Sequence, residues 1–182
     1  YGRQALPMVW DFVEGNPFSG ASGNYINAVE WVSKFIEREG LSLTGISSGQ
    51  AEKITATNHF LADDSAAVFF SDPPYYDAIG YCNLSEFFYV WLHRSIGNLF
   101  PSLFTNELPD KKEECIVDKS IGQDNDYFLQ TMTRSLAEAR RYQKPSGIGI
   151  IVFAHSATTA WESMLTSLIE AGWIVSASWP ID

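Results

Sequence analysis

Residues 66–76 read AAVFFSDPPYY, an apolar run that leads directly into an acid, two prolines and two tyrosines. The run at 66–71 is apolar on both faces, as are strands of a covered parallel sheet. Pro73 and Pro74 must end this strand, because each lacks an amide hydrogen and has a fixed φ. Two interpretations follow: a plain stop signal with surface tyrosines, or a rigid turn at the rim of a pocket.

Apolar spacing along the chain predicts alternating helices and strands. We expect helices at 25–39, 83–96, 125–143 and 157–172, and strands at 52–57, 66–71, 148–154 and 173–179. We expect Gly40 to end the first helix, Asn83 with Glu86 to cap the second, and KPSG at 144–147 to form a turn. The order predicts an α/β fold, with an open, mostly parallel sheet and helices on both faces. Ligands bind at the carboxyl ends of strands in such sheets, which favours the pocket interpretation.

Composition and charge limit the classes of protein that fit this chain. It has 182 residues, 46% of them hydrophobic, which is enough for one domain with a core. No apolar run approaches the roughly 20 residues that span a bilayer, so we expect no membrane association. Cys82 and Cys115 form no CxxC pair, which indicates inert thiols in a reducing cytoplasm. The net charge of −10 argues against tight binding of nucleic acid by this chain alone.

An acid, two prolines and an aromatic ring at a strand end can bind a planar amine. The Asp72 carboxylate and the carbonyls of the prolines can accept its two N–H bonds, and a tyrosine can stack on the attached ring. Stacking of a base on an aromatic ring contributes about 1–3 kcal/mol. Accepting both hydrogens returns electron density to a poorly nucleophilic nitrogen, so positioning and electrostatics can activate it. A base in a duplex would have to flip out to reach such a turn.

DPPY at 72–75 resembles the catalytic motif of amino-methylating DNA methyltransferases. The similarity extends to the large adenine-specific DNA methylases of bacteria and archaea, through segments 2–19, 72–94, 111–118, 144–156 and 171–181. The resemblance implies a Rossmann-like fold that uses S-adenosyl-L-methionine to methylate the exocyclic amine of adenine in DNA. It also implies a cytoplasmic restriction-modification or defence role. Methylation of cytosine or of an RNA base uses the same motif, and the residues do not separate these substrates.

The resemblance implies a catalytic set and a substrate-binding set. The catalytic set is Asp72, Pro73, Pro74 and Tyr75. In it the Asp72 carboxylate and the Pro73 carbonyl accept from the target amine, and Tyr75 stacks on the flipped base. The substrate-binding set is Tyr76, Tyr81 and His155, for which simple packing is the alternative.

NPFSGASG at 16–23 has two interpretations. As the cofactor loop, it would bind S-adenosylmethionine through Asn16, Phe18 and Gly20, with Asp72 also contacting the cofactor. Asn16 stands where the family has an acid, which favours the alternative of a surface loop that caps the helix at 25–39. In that case 1–182 is one partial catalytic domain, and its first cofactor-binding strand and loop lie upstream of residue 1.

Three further interpretations concern charge and function. The segment at 110–114, DKKEE, is expected to be a solvated loop. A basic cluster of Arg134, Arg140, Arg141 and Lys144 could contact phosphates, although cations also favour helix ends. The competing functional hypothesis is a catalytically silent α/β module that binds DNA or a partner within a larger modification complex.

Overall fold

A computed structural model describes residues 16–180, which divide into two compact units, 16–52 and 53–180. The first unit contains helix α1 (Tyr25–Ser42). The second contains β1 (Ala66–Ser71), α2 (Tyr81–Ile96), a 3₁₀ helix (Lys119–Ile121), α3 (Asn125–Tyr142), β2 (Gln143–Ile151) and α4 (Thr158–Glu170). The predicted extent of one catalytic domain, 1–182, stays a prediction. No helix within 16–180 is long and apolar enough to cross a bilayer.

The two strands form a parallel pair, which confirms the α/β class at this coarse level. Residues 144–147 were expected to form a turn before the predicted strand at 148–154, and this prediction was wrong. They lie inside β2, where the pairing passes from Gln143 opposite Ala66 to Ile148 opposite Val68. The extra residues therefore make an irregularity within the strand, which a β-bulge can accommodate.

One face of the sheet packs on a core formed by α3 and α4. The core consists of Phe128, Met132, Leu136, Met164, Leu168 and Ala171. Phe69 of β1 and Ile151 of β2 contact it. The alternate strand positions are solvent-exposed: Val68, Phe70, Ile148 and Ile150. Within 53–180, therefore, helices cover one face of this sheet, whereas the sequence predicted helices on both.

Two predicted strands do not form in the described residues. Segment 52–57 has no strand, and neither has 173–179, which follows α4. Ile174 in the second segment is 90% exposed, although its sequence reads as buried. An apolar β-branched run becomes a strand only when a neighbouring strand pairs with it, and β1 and β2 pair only with each other here.

Two predicted helix ends were also wrong. Helix α1 continues past Gly40 to Ser42, because an isolated glycine weakens a helix without ending it. Helix α2 begins two residues before Asn83, with Gly80 as its N-cap and no side-chain cap from its own sequence. The missing cap comes from Glu114, as described below.

Candidate active site

The DPPY turn begins where β1 leaves the sheet. The Ser71 carbonyl accepts the amide of Val152 at 2.9 Å, so the strand is hydrogen-bonded up to its last residue. Asp72 then lies exposed, whereas Pro73 is buried. The carboxyl end of a parallel strand is the expected place for a ligand site in this fold class.

Asp72, Tyr75 and Tyr81 lie together at this strand end. A hydrogen bond with Asp72, followed by burial, raises the pKa of Tyr75 to about 12. The pKa of Tyr81 is also raised, mainly by burial. The charge of Asp72 raises this pKa further, whereas a hydrogen bond with the Tyr75 backbone lowers it. The structure therefore brings three of the sequence-predicted site residues into one cluster.

An aromatic column supports the Tyr75 ring. Tyr75 meets Phe153 edge to face, with ring centroids 5.5 Å apart, and Phe153 meets Trp161 at 5.0 Å. Edge-to-face pairs at these distances are favourable and directional. Phe153 follows β2 and Trp161 lies in α4, so the orientation of Tyr75 depends on residues distant in sequence.

Tyr76 has a different environment from Tyr75. Its ring packs on Phe128 at 5.1 Å and its hydroxyl donates to Asn125 Oδ1 at 3.2 Å. It also lines an open cavity of about 360 Å³. The other lining residues are Asn125, Leu129, Thr159, Glu162, Ser163 and Thr166. These contacts correspond to the packing alternative, and the substrate-binding role of Tyr76 stays a prediction.

His155 uses both of its ring nitrogens within the protein. Nδ1 accepts the amide of Ala157 at 3.0 Å, and Nε2 lies 2.9 Å from Asp77 Oδ1. Because Nδ1 is an acceptor, the proton is assigned to Nε2, which donates to Asp77. The His155 side chain is only 8% exposed. Its substrate-binding role stays a prediction, and its visible contacts are structural.

Segment 110–118 is more than a solvated loop, although Lys112 and Glu113 are exposed. Glu114 accepts the amide of Cys82 at 3.1 Å and so caps the first turn of α2. The Val117 amide donates to the Tyr76 carbonyl at 3.0 Å. The segment therefore braces the residues that follow DPPY. Sequence reasoning missed this role, although KKEECIVD at 111–118 was already part of the family resemblance.

The loop at 16–23 is bonded to itself. Asn16 Oδ1 accepts the amide of Phe18 at 2.9 Å, and the Phe18 side chain is highly exposed. The buried Asn24 caps α1 by accepting the amide of Asn27 at 2.8 Å. Among residues 16–180, a Cβ on Gly20 would meet no atom within 4 Å outside its chain neighbours. These contacts correspond to the helix-capping alternative. Binding of S-adenosylmethionine by Asn16, Phe18 and Gly20 stays a prediction.

The predicted basic cluster is partly neutralised. Arg141 forms ion pairs with Glu138 and Asp63 and donates to the His59 carbonyl at 2.9 Å. Arg134 and Lys144 are exposed. The charge of Arg141 therefore serves the fold, and phosphate contact by the remaining cations stays a prediction.

No protein-family model, curated protein or solved structure matches the chain. The similarity of its segments to adenine-specific DNA methylases therefore stays an expectation. The functional argument depends on the chemistry and geometry of the DPPY turn.

Proposed function

We propose that this chain carries the catalytic turn of a Rossmann-like methyltransferase that methylates the exocyclic amine of adenine in DNA. The observation that carries the proposal is the cluster of Asp72, Tyr75 and Tyr81 at the carboxyl end of a parallel strand. An exposed carboxylate beside two aromatic rings suits a planar heterocycle with an amine substituent.

The target amine binds through its two hydrogens. One N–H donates to the Asp72 carboxylate and the other to the Pro73 carbonyl, which has no hydrogen-bond partner among residues 16–180. Accepting both hydrogens localises the nitrogen lone pair, which makes the amine nucleophilic.

The Tyr75 ring holds the base in the plane that this geometry requires. Its T-shaped contact with Phe153 restrains the orientation of the Tyr75 ring, and the proposal has a face of that ring stack on the base. Holding both the amine and the ring raises the reaction rate more than either contact alone, because the rate depends on orientation at the reacting atom. The base reaches the turn by leaving the duplex.

S-adenosylmethionine would supply the electrophilic methyl group and would leave as S-adenosylhomocysteine, and the amine would lose one proton. The contacts of the loop at 16–23 are accounted for by helix capping, so the proposal assigns no residue of that loop to the cofactor. The side chain of Asp72 is exposed, so the released proton has a direct route to solvent.

The test is methyl transfer by the full chain to unmethylated DNA, followed by mass analysis of the nucleosides. We expect N6-methyladenine from the unchanged protein and none from Asp72→Ala. Asp126→Ala, which removes an exposed carboxylate from the first turn of α3, is the matched control and should keep activity. Methylated cytosine as the product would identify cytosine, instead of adenine, as the target base. DNA binding without any methylated nucleoside, equal in both variants, would support the silent binding module instead.

A further inference from the structure

The two residues after DPPY, Tyr76 and Asp77, are held by contacts with elements distant in sequence. Tyr76 has φ 57°, a left-handed conformation that is uncommon for a residue with a side chain. The Val117 amide donates to the Tyr76 carbonyl at 3.0 Å, and Phe128 packs on the Tyr76 ring. Such a conformation persists only where the surroundings determine it. The exit of the turn is therefore set by contacts with distant elements.

Asp77, the next residue, is bound by His155. The Nε2–Oδ1 distance is 2.9 Å, and the imidazole is nearly buried while the carboxylate is half-exposed. The opposite nitrogen of the ring accepts the amide of Ala157, the N-cap residue of α4. The Trp161 indole donates to the His155 carbonyl at 2.9 Å. These bonds fix both the orientation and the tautomer of the imidazole.

The pair joins the loop after β1 to the loop after β2. It connects residues 78 positions apart, at the end of the sheet where Asp72 and Tyr75 lie. We infer that Asp77 and His155 are positioning residues, which hold the DPPY turn in the geometry that binds the target amine. Neither side chain need touch the substrate. The inference rests on the proposed function for its kinetic consequence, although the pairing itself does not.

Two isosteric variants separate the bonds of His155. His155→Gln places an amide nitrogen near the position of Nε2, so it can still donate to Asp77, but it loses the acceptor for Ala157. His155→Asn keeps an acceptor near Nδ1 and loses the bond to Asp77. If the pair positions the turn, His155→Asn should lose as much methyl-transfer activity as Asp77→Ala. His155→Gln and Asp77→Asn should retain most activity.

In the full chain, we expect Asp77→Ala and His155→Asn each to lower kcat for methyl transfer about 10- to 100-fold, the cost of a small displacement at a reacting centre. KM for DNA should change far less. The double variant should be no worse than either single variant, because both remove one interaction. Asp126→Ala should leave kcat and KM unchanged. An unchanged kcat in Asp77→Ala, or losses that multiply in the double variant, would overturn the inference.

Measurements that need no activity distinguish failure of this inference from failure of the proposed function. Nitrogen NMR of the imidazole should show the tautomer that is protonated at Nε2. The Ala78 amide, which donates to the Tyr75 carbonyl at 2.9 Å, should exchange faster with solvent in Asp77→Ala. An inactive protein that shows both results would refute the methyltransferase alone. The other tautomer, or unchanged exchange, would refute the positioning pair whatever the activity.

Discussion

Replacing Tyr75 by phenylalanine separates the two tasks that the proposal gives this residue. The hydroxyl of Tyr75 is hydrogen-bonded with Asp72, which raises the pKa of Tyr75 to about 12 and keeps the phenol protonated at neutral pH. The Tyr75 hydroxyl therefore competes with the target amine for acceptor positions on the Asp72 carboxylate. The ring, in contrast, contacts Phe153 and would stack on the base. Tyr75→Phe removes the competing donor and keeps the ring.

The size of the effect follows from the exposure of the site. A hydrogen bond to a charged group contributes about 1.5–3 kcal/mol. Because Asp72 is exposed, solvent screening reduces this to about 1 kcal/mol. Releasing it should lower KM for DNA about fivefold, since 1.4 kcal/mol is a factor of ten in affinity. We expect kcat to change little, because the amine makes the same bonds in the transition state.

Steady-state methyl transfer to a short duplex would measure kcat and KM for the unchanged protein, Tyr75→Phe and Tyr75→Ala. The alanine variant is the control for the ring, and its loss of stacking should weaken binding by about 1–3 kcal/mol. A large fall in kcat in Tyr75→Phe would refute the reasoning, because it would give the hydroxyl a direct part in the reaction. A raised KM would show that the hydroxyl binds substrate and does not compete with it.

Three further outcomes follow from the fold. Phe128→Ala removes a fully buried ring and should lower the free energy of unfolding in urea by about 3–5 kcal/mol, whereas a loss below 1 kcal/mol would mean that the core repacks. Hydrogen bonds from Arg141, and then from the His59 backbone, lower the pKa of Glu138 from 4.5 to about 2. Its folded-state pKa is depressed, so its contribution to stability is complete above pH 4.5 and is lost as the pH falls towards 2. Glu138→Gln should lack this part of the acid transition, and identical acid unfolding curves would contradict it. Burial raises the pKa of the Cys115 thiol to about 12, so it should resist disulfide reagents at pH 8 until the protein is unfolded. Rapid reaction of the folded Cys115, measured with Cys82 replaced by serine, would contradict this.

Local patterns predicted β1 and the helices because each has a strong periodic signal or a clear stop. The segment at 144–147 was wrongly predicted to be a turn, because proline and glycine usually mark turns. In the structure Gly147 lies inside β2, where a Cβ would come within 2.7 Å of the Ala67 carbonyl. Glycine is needed there for close approach of two strands, and a pattern read along one strand contains no signal of its neighbour.

In the candidate site, likewise, the sequence predicts the chemical groups but not the geometry that holds them. The types of residue at 72–75 suffice to predict a carboxylate, a free carbonyl and a stacking ring at a strand end. The shape of that turn depends instead on Val117 and His155, which are remote in sequence and carry no motif of their own. Before folding, His155 is one histidine with no partner in view, and Asp77 is one surface acid. Their meeting requires β1 and β2 to be neighbours, so a positioning pair of this kind becomes visible only once the strand pairing is known.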